Sequence, residues 1–123
     1  MTTIAPWLSV PNVTEAIAFY AAAFGAIELE RSELPDGTVI VSQLSIDGAG
    51  FWIQANPDSS PAAVNGMSVR MILEVDDPDA MFARAISAGA FEIYPVSEGH
   101  GWNIGRVADP SGHHWEIGAR LPT

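Results

Sequence analysis

The chain has 123 residues, 48% of them hydrophobic and 16% charged, a balance that suits one ordinary domain with a real core and excludes a disordered segment. It has no cysteine, which excludes disulfides, thiolate metal sites and cysteine nucleophiles. Its net charge of -10, with five Arg and no Lys, sets it against nucleic acid and anionic membrane surfaces.

No apolar run approaches the roughly 20 residues of a membrane span. The opening Met-Thr-Thr-Ile-Ala-Pro lacks the basic start and apolar stretch of a secretory leader, so a cytoplasmic location is expected. A short strand is expected over residues 4–10, followed by a helix. Asn12 is placed to cap that helix and Glu15 stands at the capping-box position. Ile17, Tyr20, Ala21 and Phe24 share one helical face, and Gly25 ends the run. Residues 25–29 begin the next strand, Asp36-Gly37 signals a turn, and Asp47-Gly48-Ala49-Gly50 leads into a strand carrying Phe51-Trp52-Ile53-Gln54.

The same order then recurs. A strand is expected over residues 69–75. Asp77 caps a second helix whose first position is Pro78, and Phe82, Ala85, Ile86 and Gly89 repeat the face spacing. Gly89-Ala90-Phe91-Glu92-Ile93 nearly copies Gly25-Ala26-Ile27-Glu28-Leu29. His100-Gly101 marks a turn before a strand that opens on Trp102, and Asp109-Pro110-Ser111-Gly112 leads into His113-His114-Trp115-Glu116. The expectation is a single domain of two tandem βαβββ modules, 3–55 and 67–119, joined by a linker rich in Pro, Ser, Asn and Ala over 56–66. Each four-stranded sheet with one helix has one covered and one open face. The fold class expected is α+β, with the open faces forming a curved, half-closed barrel around a cleft.

Taken together, Leu8-Ser9-Val10, Ala16-Ile17-Ala18-Phe19-Tyr20 with Phe24-Gly25, Leu73-Glu74-Val75-Asp76-Asp77-Pro78, Ala88-Gly89 and the run Asp109 to Ile117 resemble the vicinal-oxygen-chelate superfamily. This is the superfamily of glyoxalase I, bleomycin-resistance proteins and extradiol dioxygenases. The likeness covers almost the whole chain, and the segment from Gly101-Trp102 to Trp115 looks most like the PhnB-like branch. The resemblance implies a divalent metal held by His, Gln or Glu, two from the first strands of the modules and two from the last. The matching positions here are Ala5, Arg70, Gln54 and Glu116. Ala5 has no donor, and Arg70 is a permanent cation. Only Gln54 and Glu116 can coordinate, too few for a tight site. No metal or other cofactor is therefore expected. The resemblance also implies a homodimer.

The resemblance turns Gln54, Arg70 and Glu116 toward the cleft; Trp7 shares strand parity with Ala5, Trp52 with Gln54 and His114 with Glu116, and Trp102 begins a neighbouring strand. Ala5 aside, these seven residues are the expected ligand-binding set. Three tryptophans on one concave surface would suit an aromatic or cationic ligand, although tryptophan is as often plain core. Arg70 either pairs with Glu116 as filler or grips a ligand anion. Trp115 has the opposite parity and is expected beneath the helices. His113 is expected in a structural role and His100 in a rim loop; together with Glu116, His114 and His100 form a remoter metal set. No Gly-x-Ser-x-Gly, phosphate-binding loop or zinc-protease helix occurs. The leading reading is a metal-free small-molecule binding protein of the bleomycin-resistance type, with a role in antibiotic resistance or self-protection. The alternatives are a metal-dependent lyase, isomerase or dioxygenase with a rearranged ligand set, and a structural partner domain whose cleft is filled.

Overall fold

A computed structural model describes residues 2–61 and 69–122. The elements, in chain order, are β1 (Trp7–Val10), α1 (Val13–Phe24), β2 (Ile27–Glu33), β3 (Val39–Ile46), β4 (Ala49–Ala55), β5 (Met71–Glu74), α2 (Pro78–Ala88), β6 (Phe91–Gly99), β7 (Trp102–Ala108) and β8 (His114–Arg120). They build two four-stranded sheets, ordered β1-β4-β3-β2 and β5-β8-β7-β6. In each sheet the first strand pairs parallel with the last and the other pairings are antiparallel. The expected α+β duplication is therefore present, and the sheets stay curved and do not close into a barrel. Part of the expected 56–66 linker, residues 62–66, lies outside the described residues.

The helices start and stop where their caps dictate. Asn12 accepts from the Glu15 amide at 3.0 Å, and Asp77 accepts from the Ala80 amide at 3.1 Å with Pro78 following at the first turn. Such a cap satisfies one of the amides that a helix start leaves unpaired. Gly25 and Gly89 close the helices at φ 71° and 116°, a left-handed conformation that a Cβ would oppose. The buried stripe of α1 is wider than the expected one. Val13, Ala16, Phe19, Tyr20, Ala23 and Phe24 are buried, whereas Ala21 is exposed and Ile17 half-buried. The stripe broadens because α1 packs both on its sheet and on α2, so two faces need cover. On α2, Ile86 is 37% exposed, and Phe82 and Ala85 carry the packing.

The two first strands are shorter than expected. They start at Trp7 and Met71, so Ala5 and Arg70 precede their strands rather than lie within them. Trp7 pairs with Trp52, the middle residue of β4, and Met71 with Trp115, the second residue of β8.

A single core spans both units. Phe24 and Phe51 of the first unit meet Trp115 of the second at ring-centroid distances of 4.9 and 5.4 Å. Polar clasps reinforce this seam. Arg84 on α2 donates to the Ala22 carbonyl at 2.7 Å, at the end of α1, where a helix lacking basic residues in its last turn benefits most from a cation. The His113 ring lies 2.7 Å from the Ser9 carbonyl, the structural role expected of it. Asp109, 1% exposed, accepts from Tyr20 Oη at 2.5 Å, Trp115 Nε1 at 2.9 Å and the amides of Ser111 and His113 at 2.9 and 3.0 Å. Burial, then the Asp109 charge, push the Tyr20 phenol well above its ordinary pKa. No helix among the described residues is long and apolar enough to cross a membrane.

Candidate functional site

Alternation along the strands sorts side chains between the helix-covered and the open face. On β1 and β4, Leu8, Val10, Phe51 and Ile53 are buried in the core, which turns Trp7, Trp52 and Gln54 to the open face. The rings of Trp7 and Trp52 stack at 5.8 Å with an interplanar angle of 24°. Trp7 Nε1 donates to Gln54 Oε1 at 2.9 Å, so the amide orients the indole, which stays half exposed.

The second sheet sorts in the same way. Trp115 and Ile117 are buried, Trp115 beneath the helices as expected, while His114 and Glu116 take the open face. Glu116 is flanked across both neighbouring strands, since Ile72 of β5 and Arg106 of β7 are its register partners. Its Oε1 accepts from Arg70 Nε at 2.9 Å and from Arg106 Nη2 at 2.8 Å and Nε at 3.3 Å. The Arg106 guanidinium also lies over the Tyr94 ring, 5.3 Å from its centroid. Between the two groups, at the seam where the edge strands β1 and β5 approach, lies a cavity of about 500 Å³. Ala5, Trp7, Arg70 and Ile72 line its sides, with Phe51 and Trp115 among its inner residues.

The expected set thus divides into groups. Trp7, Trp52 and Gln54 meet on one sheet, Arg70 and Glu116 on the other, and Trp7 and Arg70 line one cavity. Trp102 stands apart. It pairs with Arg120, four residues along β7 from Arg106, or about 13 Å, and the Arg120 guanidinium covers its ring at 5.2 Å. His114 lines a smaller hollow with Phe91 and Ile93. The remoter set of His100, His114 and Glu116 is not assembled. His100 occupies the tip of the β6–β7 hairpin at φ 53°, and His114 pairs with Ala108 at the opposite end of β7. Among the described residues, no three His, Cys, Asp or Glu side chains are grouped to hold a metal ion.

The four positions that the resemblance assigns to metal ligands do not fit a divalent ion. Ala5 has no donor, Gln54 is engaged by Trp7, and the one carboxylate is held between two guanidiniums that repel a cation. Arg106 escaped the sequence reading, although strand alternation carries the signal. Val107 is core, so its neighbour Arg106 must face the open side. What hid it was the register that sets Arg106 opposite Glu116.

The family model described as a glyoxalase-like domain matches residues 6–118. The uncharacterised protein Mb0911c of Mycobacterium bovis is 38% identical over 125 residues, covering 94% of this chain and 81% of its own. TioX from Micromonospora sp. ML1 has a TM-score of 0.78 at 24% identity, covering 98% of this chain and 100% of that one. The bleomycin resistance determinant encoded on transposon Tn5 has a TM-score of 0.68 at 17% identity, with 98% of each chain covered. The two structures speak for the fold alone. The family model spans nearly the whole duplicated unit, and the chain belongs to the glyoxalase-like domain family.

Proposed function

We propose that this chain is a small-molecule binding member of its family that holds an aromatic ligand without a resident metal ion. The observation that carries this reading is the Trp7–Trp52 stack beside a cavity of about 500 Å³, a volume within the usual range for ligand sites. Trp7 is 52% exposed, and an aromatic surface left open beside a hollow is a platform for a planar ligand. In this reading Trp7 and Trp52 stack on the ligand, Gln54 orients Trp7, and Arg70 with Glu116 forms the polar wall. Trp102 and His114, further along β7 and β8, contribute only to a ligand long enough to run along the open face of the second sheet.

The site works in a homodimer in this proposal. Ile27, Leu29, Phe91 and Tyr94 on the edge strands β2 and β6 are each more than half exposed, and such apolar edges call for cover by a second copy. Sequestration of an aromatic antibiotic in the cytoplasm is the role proposed for testing first, in keeping with the fold shared with a bleomycin resistance determinant.

The test is a thermal-shift screen of aromatic antibiotics beside elemental analysis of the purified protein. A ligand at 100 times its Kd stabilises the fold by about 2.7 kcal/mol, or roughly 10 °C in Tm for a chain of this length. Stoichiometric divalent metal with chelator-sensitive turnover would favour an enzyme instead. A screen in which no compound raises Tm would favour a filled, structural cleft.

A further inference from the structure

The charge around the cavity narrows the ligand further, resting on the binding reading above. In a chain of net charge -10, most cations are accounted for. Arg31 pairs with Glu28 and Glu33, Arg120 lies 3.6 Å from Glu74, and Arg84 closes the end of α1. At Glu116 alone, among the described residues, two guanidiniums share one carboxylate oxygen. Residues 62–68 carry no charged side chain by sequence, and among the described residues Arg70, Arg106 and Glu116 together carry a surplus of one positive charge.

The surplus borders the cavity. Among the described residues that line the cavity, Arg70 is the one charged side chain. A guanidinium has five N–H donors. Among the described residues Arg70 uses only Nε, toward Glu116, and its side chain is 45% exposed. Its two terminal nitrogens form the planar fork that receives a carboxylate in bidentate fashion.

We infer that the cavity takes an aromatic monocarboxylate, with its ring against Trp7 and Ile72 and its carboxylate on the terminal nitrogens of Arg70. One negative charge cancels the surplus. A dianion would overshoot it in an already acidic chain, and a cation would meet Arg70 directly. Of the two ligand chemistries that tryptophans accept, aromatic and cationic, the second is therefore excluded at this cavity. Glu116 acts as a positioning residue. It holds Arg70 and Arg106 on the open face, and its charge competes with the ligand carboxylate for Arg70.

Isothermal titration calorimetry with 2-naphthoate, 2-naphthalenemethanol and 2-naphthylmethylammonium separates the contributions. Naphthoate should bind at least tenfold tighter than the alcohol or the amine, and this preference should shrink as NaCl rises from 50 to 300 mM, by about the screening that a shorter Debye length implies. R70M should bring the naphthoate-to-alcohol ratio near one, a change of ratio that misfolding, which weakens both ligands alike, cannot imitate. E116Q, which removes the internal rival, should raise the naphthoate preference severalfold, with circular dichroism melting to confirm the fold. Equal binding of naphthoate and alcohol would overturn the anion assignment yet leave aromatic binding standing. Tightest binding by the amine, or binding by none of the three, would also overturn it. The broader binding reading falls separately, only when the antibiotic screen is empty as well.

Discussion

Replacing Asp109 with Asn should cost this protein a large part of its stability, although the two side chains have the same shape. Oδ1 accepts the Ser111 and His113 amides, and the Asn carbonyl can keep both. Oδ2 accepts from Tyr20 Oη and Trp115 Nε1, and there the Asn would present an NH₂ group. An indole N–H only donates, so Trp115 would face a second donor in a buried site. Leaving a buried donor unsatisfied costs about 1–3 kcal/mol, and hydrogen bonds to a charged partner exceed neutral ones by about 1 kcal/mol each. Together these give a loss of about 3–5 kcal/mol, against the roughly 5–15 kcal/mol total of an ordinary domain. Urea unfolding followed by tryptophan emission should show a midpoint lowered by about 2 M, taking a slope of about 2 kcal/mol per M. Tyr20→Phe, which deletes one of these bonds, should lose only about 1–2 kcal/mol. Because the two residues share a bond, the double variant should fall short of the sum. A D109N loss below about 1 kcal/mol would show that the Asp109 cluster does not clasp the two units.

Other outcomes follow from single contacts. In Gly105→Ala the new Cβ would lie 2.9 Å from the Val96 amide nitrogen and 3.0 Å from the Tyr94 carbonyl, so backbone must move and urea unfolding should show a loss of about 1–3 kcal/mol. Gly99→Ala, with nothing among the described residues within 4 Å, is the control and should stay within about 0.5 kcal/mol. Tyr20 stays protonated in the fold above its ordinary pKa, chiefly through burial. The unfolded chain therefore sheds that proton first, so stability should hold below pH about 10 and fall as pH rises beyond it. A Tyr20→Phe melting profile should be flatter over that alkaline range, and parallel profiles would refute the assignment. Trp52→Leu should weaken an aromatic ligand about tenfold through loss of a stacking partner worth about 1 kcal/mol and of the Trp7 orientation it supports, measured by fluorescence or calorimetry. Unchanged affinity would remove the Trp7–Trp52 platform from the proposal.

Features that depend on neighbours in the chain were legible from residues alone. Asn12 and Asp77 cap where they stand, Gly25 and Gly89 end the helices, and the repeated order of elements announced the duplicated α+β fold. Strand parity correctly separated Trp115 from Glu116. These signals are local because caps, turns and alternation are decided within a few residues of backbone.

Cross-strand register and packing between the units decided the rest. Arg106 joined Glu116 because β7 and β8 align those two positions, and the same register carried Trp102 and His100 away from the carboxylate. Tyr20 and Asp109 meet across 89 residues of chain, and His113 and Ser9 across 104. The amino-acid sequence by itself determined two βαβββ units, their caps and which faces are open. Only the tertiary structure decided which open-face side chains meet and that a cavity with one cation lies at the seam, because that placement is settled by burying both helices and Trp115 in a single core.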